Sequence, residues 1–176
     1  MKRVIFLAIA LFAACTIFAQ AGIYLYLPSI TNGAGSGAIH ADESRLSSLQ
    51  NGVTINVSGS VSGVPVPSDF VCSKDFDFSS LKLQTALLKG QPQNFAEFRY
   101  YDAADNLKYV IRLESVFLSS YNQSNDGSGC SAGCQTIQET YSFTGKKVIT
   151  SNYANGGSTP TQKLTWDRLT NTITYQ

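Results

Sequence analysis

The sequence predicts a mainly β protein: an antiparallel two-sheet β-barrel with one short α-helix packed on its side. Three observations lead to this fold class. Apolar and polar residues alternate over most of the chain, which is the pattern of half-buried strands. Clusters of Gly, Asn, Asp and Ser separate the alternating runs and are typical of turns. One stretch has helical spacing instead, and a barrel with a helix beside it accommodates both patterns.

The predicted strands follow the alternation along the chain. The first covers residues 23–27 and is ended by Pro28, which cannot donate to a strand ladder. Residues 53–58 alternate Val and Ile with polar side chains, and residues 102–106 have the composition of a hairpin turn. After that turn, residues 107–114 have one apolar and one polar face. Further strands are predicted over 95–101, 116–121, 136–143, 147–153, 163–168 and 172–175, with another turn at Asn155–Gly156–Gly157.

The predicted helix covers residues 79–89. Leu83, Ala86 and Leu87 recur there at helical spacing. Gly90 suits the left-handed residue that ends many helices, and Pro92 prevents continuation. Candidates for capping the first turn with a side-chain oxygen are Asp77, Ser79 and Ser80.

The N-terminus has the order of a secretory signal peptide. Lys2 and Arg3 precede an apolar run over Val4–Phe18, and the small residues of Ala19–Gln20–Ala21 follow. We therefore expect residues 1–20 to be a signal peptide and residues 21–176 to be a single domain, exported through Sec to the periplasm or beyond. Two alternatives are an uncleaved anchor and a lipoprotein attached at Cys15. No later stretch has the length of a membrane span.

An oxidising compartment allows disulfides to persist. Export leaves Cys72, Cys130 and Cys134 in the mature chain, an odd number. A glycine-rich loop holds Cys130 and Cys134, so a local disulfide between them is predicted, whereas Cys72 is expected to be a small buried residue. Pairing of Cys130 with Cys72 remains open.

The charge content excludes several function classes. Charged residues make up 14% of the chain, with 13 basic and 12 acidic residues, so an electrostatic nucleic-acid binder is not expected. No nucleotide or phosphate motif is complete, and the lone His40 with three mature cysteines suits no zinc site. We therefore predict no catalytic residue, no cofactor and no metal. The pairs Asp75/Asp77 and Asp102/Asp105 are expected to serve in caps and turns.

Several motifs occur in a recognisable order. They are Tyr24–Ile30, Phe76–Gly90, Phe98–Tyr101, Tyr109–Tyr121, Glu139–Phe143, Lys147–Ile149, Tyr153 and Trp166–Asp167. In order and spacing, over nearly all of residues 22–170, the chain resembles the haemolysin-coregulated protein (Hcp) family, the tube proteins of bacterial type VI secretion. It departs from that family in the residues after His40, in the loop with Cys130 and Cys134, and in its signal peptide.

The resemblance implies a non-catalytic structural protein. It implies a two-sheet β-barrel that forms hexameric rings, which can stack head to tail, with effector or secretion-apparatus proteins as further partners. The alternative is a secreted β-barrel binding module for glycans or a cell-surface partner. A third hypothesis, a hydrolase, would rest on His40, Asp75 and Asp77.

Overall fold

The computed structural model of the chain describes residues 21–35, 40–58, 61–125, 137–154 and 157–176. The predicted signal peptide, the Cys130–Cys134 pair and the Asn155–Gly156 part of a predicted turn lie outside the described residues. The described residues form thirteen strands and one helix, in this order: β1 (Gly22–Tyr26), β2 (Ser44–Leu46), β3 (Ser48–Gln50), β4 (Val53–Thr54), β5 (Val57–Ser58), β6 (Val61–Ser62), β7 (Val66–Pro67), β8 (Phe70–Asp75), α1 (Ser80–Leu88), β9 (Gln93–Tyr101), β10 (Leu107–Asn125), β11 (Ile137–Tyr153), β12 (Pro160–Asp167) and β13 (Thr172–Tyr175).

The main sheet is antiparallel throughout. Its strands lie in the order β13-β12-β11-β10-β9-β1-β2. Consecutive strands from β9 to β13 are neighbours, as expected for hairpin connections. The antiparallel, mainly β architecture with one short helix is therefore confirmed.

The hairpin of β10 and β11 joins two parts of the structure. The first half of β11, Gln138–Phe143, pairs with β8, and β8 pairs with β3 on its other side. The second half, Lys147–Tyr153, pairs with β12. Ser115, at φ 52°, and a register shift between Leu118 and Ser120 interrupt the regular geometry of β10. Such irregularities let a long strand change direction.

Helix α1 ends as the sequence predicts. Gly90 has φ 58°, its N–H donates to the Leu87 carbonyl, and the Gln91 N–H donates to the Ala86 carbonyl. These two bonds form a Schellman motif, which satisfies the last carbonyl groups of the helix. At the start of the helix, the capping oxygen comes from the carboxylate of Asp77 and not from the hydroxyl of Ser79. This carboxylate oxygen accepts the Ser79 N–H at 2.7 Å. Leu83 is fully buried and fastens the helix to the strands.

One apolar core lies between the strands and α1. Phe98 is at its centre, with its ring 5.9 Å from that of Phe70 and 5.7 Å from that of Phe143, measured between centroids. Core residues with no exposed surface come from β1, β8, α1, β9, β10 and β11: Leu25, Cys72, Leu83, Ala96, Phe98, Leu113, Val116, Tyr141 and Phe143.

The structure corrects the strand prediction for residues 53–58. Two short strands, β4 and β5, replace one continuous strand, and they pair only with β7 and β6. Residues 51–68, called the arm below, are closed at the base because the Gly52 N–H donates to Ser68 Oγ at 2.7 Å. Val53 and Ile55 are exposed. Because the arm pairs with itself, its alternation does not mark a core face.

Other differences concern which strands the sequence reveals. Strands β2, β3 and β8 were not predicted. The two strands predicted over 136–143 and 147–153 are the single strand β11 over the described residues. Gly145 continues the ladder opposite Val116 and does not form a turn.

Candidate functional site

The single histidine lies in a cluster of polar and aromatic side chains next to β1 and β9. His40 Nδ1 is 2.7 Å from Glu43 Oε2, and His40 Nε2 is 2.9 Å from Asp105 Oδ1. The imidazole stacks on the ring of Tyr24 at a centroid distance of 4.1 Å and meets the edge of Tyr101. His40 thus begins a turn, since its backbone carbonyl accepts the Glu43 N–H, while its side chain is packed among these groups and is 15% exposed.

Charged side chains continue from this cluster across the sheet. Glu43 Oε1 accepts a hydrogen bond from Arg99 Nη1 at 2.7 Å, and Arg99 Nε donates to Glu97 at 2.8 Å. Arg112 Nη1 donates to the other oxygen of Glu97 at 2.8 Å. Arg99 also lies over the ring of Tyr26, 3.8 Å from its centroid. Burial alone would lower the pKa of Arg99, but Glu97 and Glu43 outweigh it and raise that pKa. These groups are fixed as ion pairs.

A second polar cluster lies beneath α1 and is fully buried at its centre. Lys74 on β8 and Glu139 on β11 have no exposed surface, and Lys74 Nζ is 3.2 Å from Glu139 Oε2. Lys74 Nζ also donates to Ser80 Oγ at 2.9 Å and contacts Asp77 Oδ1 at 2.9 Å. Such a pair is tolerated inside a protein only when its hydrogen bonds are satisfied. Here they are.

The remaining lone pairs of Glu139 have donors as well. Its Oε2 accepts from Ser80 Oγ. Its Oε1 accepts from Gln84 Nε2 at 3.2 Å, Tyr121 OH at 3.1 Å and Tyr141 OH at 3.3 Å. Burial raises the pKa of Tyr141 well above its usual range, so this hydroxyl remains a donor. The cluster fastens α1 to β8, β10 and β11.

Asp77 is the outermost member of this buried cluster. Its burial alone would raise the pKa, but hydrogen bonds from Ser44, Ser79 and Lys74 outweigh this effect and hold the pKa of Asp77 below its usual value of 3.8. Asp77 is thus a stabilised carboxylate that organises the start of α1. It lacks the raised pKa expected of a general acid at neutral pH.

The structure does not assemble the residues of the hydrolase hypothesis. The two ring nitrogens of His40 contact one carboxylate each, that of Glu43 and that of Asp105. Asp77 instead bonds to the buried cluster, and Asp75 is exposed at the end of β8. A nucleophile site needs a histidine nitrogen within reach of a hydroxyl or thiol. Asp102 acts as a turn residue, since its Oδ1 accepts the Ala104 N–H at 2.9 Å.

A groove with a volume of about 320 Å³ lies between α1 and the segment after β1. Lys82 is the single ionisable residue in its lining, which otherwise consists of Ser29, Ile30, Leu81, Thr85, Ala86, Gln91 and Gln93. The converging ionisable groups that acid–base chemistry requires are not found there. Across the described part of the chain, no group of three or more His, Cys, Asp or Glu side chains is arranged to hold a metal ion.

Of the four cysteines in the sequence, the structure describes Cys72. Cys72 is a fully buried free thiol, and burial raises its pKa to about 12. Such a thiol is unreactive at neutral pH. The disulfide between Cys130 and Cys134 stays a prediction.

The described residues present three apolar areas at the surface. The first is the arm, where Val53, Ile55, Val64 and Val66 are exposed. The second is the outer face of α1 with the residues just before it, where Leu88 is 85% and Phe78 82% exposed. The third is the hairpin of β12 and β13, where Leu164, Ile173 and Tyr175 are exposed. Exposed apolar areas of this kind are typical of contact surfaces.

Strand β13 also presents an edge that no described strand covers. Lys163 and Gln176 exchange two backbone hydrogen bonds of 2.9 Å. Because bonded and non-bonded pairs alternate along antiparallel strands, the N–H and C=O groups of Ile173 and Tyr175 point away from β12. Residues 172–175 contain no charge, Gly or Pro, the features that usually protect an edge from pairing.

Sequence reasoning missed the partners in both polar clusters. Lys74 occupies an inward position of β8, between the buried Cys72 and the start of α1. The alternation of Phe70, Cys72 and Lys74 was the available signal, but a lysine is almost never expected at a buried position. The charged residues near His40 in sequence gave no indication that Asp105 would lie beside it.

The described ranges contain no helix that is long and apolar enough to cross a membrane.

Comparisons with solved structures find the same fold in several proteins. The structure titled as that of a type six secretion system protein is 20% identical, covers 88% of this chain and all of its own, and has a TM-score of 0.73. Hcp1 from Salmonella typhimurium is 16% identical over 88% of this chain and all of its own, with a TM-score of 0.69. The secreted protein Hcp3 from Pseudomonas aeruginosa is 19% identical over 89% of this chain and 97% of its own, with a TM-score of 0.58.

Because these sequence identities are low, the structural matches show that the chain shares its fold with these proteins. A search of curated protein sequences finds no match. The family model described as "Type VI secretion system effector, Hcp" matches residues 24–155, most of the sequence and all strands from β2 to β11. The resemblance inferred from the sequence motifs is thereby confirmed, and the chain belongs to the Hcp family of type VI secretion.

Proposed function

We propose that this chain is a non-catalytic building block that acts by binding copies of itself. In the proposal, residues 1–20 are removed during export through Sec, and the mature domain from about Ala21 forms hexameric rings, which stack into tubes. Effector or secretion-apparatus proteins are further partners. Membership of the Hcp family supports the tube role.

The observation that carries the proposal is the uncovered, uncharged edge of β13 beside an apolar hairpin face. Ile173 is 59% and Tyr175 67% exposed, and their side chains lie on the same face of β13 because they are two residues apart. An edge that directs backbone donors and acceptors outward is suited to pairing with another strand. A ring needs such a heterologous contact, in which one surface of each copy meets a different surface of the next.

The arm and the outer face of α1 provide further contact area. Residues 51–67 contain no charged side chain, so the arm meets a neighbouring copy without electrostatic repulsion. Helix α1 carries Lys82 and no acidic residue, and Lys89 follows it as the C-cap. Several different apolar surfaces on one chain favour an assembly in more than one direction, as stacked rings require.

Mass photometry and negative-stain microscopy of the mature chain test the proposal. We expect six-subunit rings and, at higher concentration, stacks. The matched variants are Ile173→Pro and Ile173→Thr. Proline removes the outward N–H of residue 173 without removing a bond to β12, whereas threonine keeps the N–H and a high strand propensity.

We expect Ile173→Thr to keep the rings and Ile173→Pro to yield monomers. Rings that survive in both variants would show that the β13 edge is not the contact. A wild-type chain that stays monomeric at every concentration would overturn self-assembly itself. Glycan binding by such a monomer would instead favour the binding-module alternative.

A further inference from the structure

His40 connects two segments that are distant in sequence. It lies three residues before Glu43, in the segment that leads into β2, and it contacts Asp105 in the turn between β9 and β10. Besides these two contacts, its backbone carbonyl accepts the Glu43 N–H at 3.1 Å. The side chain is 15% exposed, so the packing holds the ring in place.

The number of protons on the ring decides how many of these contacts form. A neutral imidazole has one N–H, whereas an imidazolium has two, and an ionised carboxylate only accepts. Both nitrogens of His40 face carboxylate oxygens, at 2.7 and 2.9 Å. Only the imidazolium can donate to both. In the neutral ring, one nitrogen lone pair faces a carboxylate and that contact becomes repulsive.

The groups that face the ring come from four elements. Glu43 is on the same segment, Asp105 is in the β9–β10 turn, Tyr24 is on β1 and Tyr101 is on β9. Arg99 reaches the ring indirectly, through the second oxygen of Glu43. Burial raises the pKa of both tyrosines above the usual range, so they stay neutral. Histidine is the residue type whose charge ordinarily changes between pH 5 and 8.

We propose that His40 is a proton-controlled latch between the segment 40–43 and the turn 102–106. The protonated ring binds Glu43 and Asp105 together. Loss of the proton releases Asp105, because its side chain is 21% exposed and can turn towards water, whereas that of Glu43 is 6% exposed and remains bonded to Arg99 and Tyr101. This end of the sheet is therefore tied down in acid and loosened as the pH rises.

Hydrogen exchange of the mature chain between pH 5.5 and pH 8 tests the latch. The reporters are the amides of Glu43 and Asp105, which donate to the carbonyls of His40 and Asp102, with rates corrected for the intrinsic effect of pH. We expect protection at both to fall about tenfold towards pH 8, the factor for one charge-assisted hydrogen bond. The Gly90 amide, in the Schellman motif of α1, serves as the internal reference and should stay constant.

Asp105→Asn is the matched variant. Asparagine tolerates the φ of 62° at this position, and its side-chain amide can donate to the lone pair of a neutral ring. We expect its protection to be independent of pH. His40→Gln should give the low protection of these amides, as in wild type at pH 8, at every pH. A flat wild-type profile, or a variant that keeps the wild-type decrease, would overturn the latch.

Discussion

Replacing Lys74 by methionine tests whether the buried cluster under α1 stabilises the fold. Methionine has a similar length but no charge, so the change removes the ammonium group and leaves the carboxylate of Glu139 without its cation. Both side chains have no exposed surface. Breaking a buried ion pair by removing one partner typically costs about 3–5 kcal/mol. A domain of this kind has a total stability of about 5–15 kcal/mol.

The structure places the expected cost at the lower end of that range. Glu139 keeps hydrogen bonds from Ser80, Gln84, Tyr121 and Tyr141, so its charge is partly compensated after the substitution. We therefore expect Lys74→Met to lower the free energy of unfolding by about 3 kcal/mol. Denaturant unfolding of residues 21–176 at pH 7 measures this, at a concentration where no assembly is detected.

A double-mutant cycle separates the charge from the packing. Glu139→Gln keeps most of the hydrogen bonds and removes the negative charge. In the Lys74→Met background it should restore about 1–2 kcal/mol, because no uncompensated charge is left in the core. A loss below about 1 kcal/mol for Lys74→Met, as for a surface ion pair, would refute the reasoning. So would simple additivity of the two substitutions.

Three further predictions concern other parts of the fold. Gly145→Val should lower the free energy of unfolding by about 1–3 kcal/mol, because an added Cβ would lie 3.0 Å from the Cβ of Leu113. A free energy of unfolding equal to that of wild type, measured in denaturant, would contradict this. The lowered pKa of Asp77 contributes stability above pH ~4 that is lost as the pH falls further. Asp77→Asn should therefore lose less stability than wild type between pH 5 and pH 2 in thermal scans. Cys72, with its pKa of about 12, should resist iodoacetamide at pH 8 in the native chain and react in urea; equal labelling rates in both conditions would show that the thiol is accessible.

The sequence predicts those elements whose signals are local. Helix α1 was predicted within one residue at each end, because Gly90 and Pro92 determine where it stops regardless of the tertiary structure. The turn at 102–106 was equally clear, since Asp102 accepts backbone N–H groups two and four residues ahead. Strand β13 was predicted with the same bounds as the structure shows.

The remaining features depend on contacts that a single sequence does not reveal. Residues 53–58 alternate like a core strand, but the alternation lies on an arm that pairs only with itself. Strand β8 was missed because Lys74 breaks its apolar pattern, and the partner that makes this lysine acceptable, Glu139, is on a different strand. The packing of His40, which lies in the loop before β2, was missed because its contact partner Asp105 lies far from it in sequence.

The order in which strands pair has a consequence for how the chain reaches its native state. Strands β8 and β9 can pair early with β3 and β1, which precede them, but each acquires its second partner only when β11 and β10 are present. The long hairpin of β10 and β11 thus comes late in synthesis and joins the strand pairs that precede it into one sheet. Folds dominated by such distant pairings form slowly. In the proposed export through Sec, the complete sheet would therefore form only after the hairpin has emerged on the far side of the membrane channel.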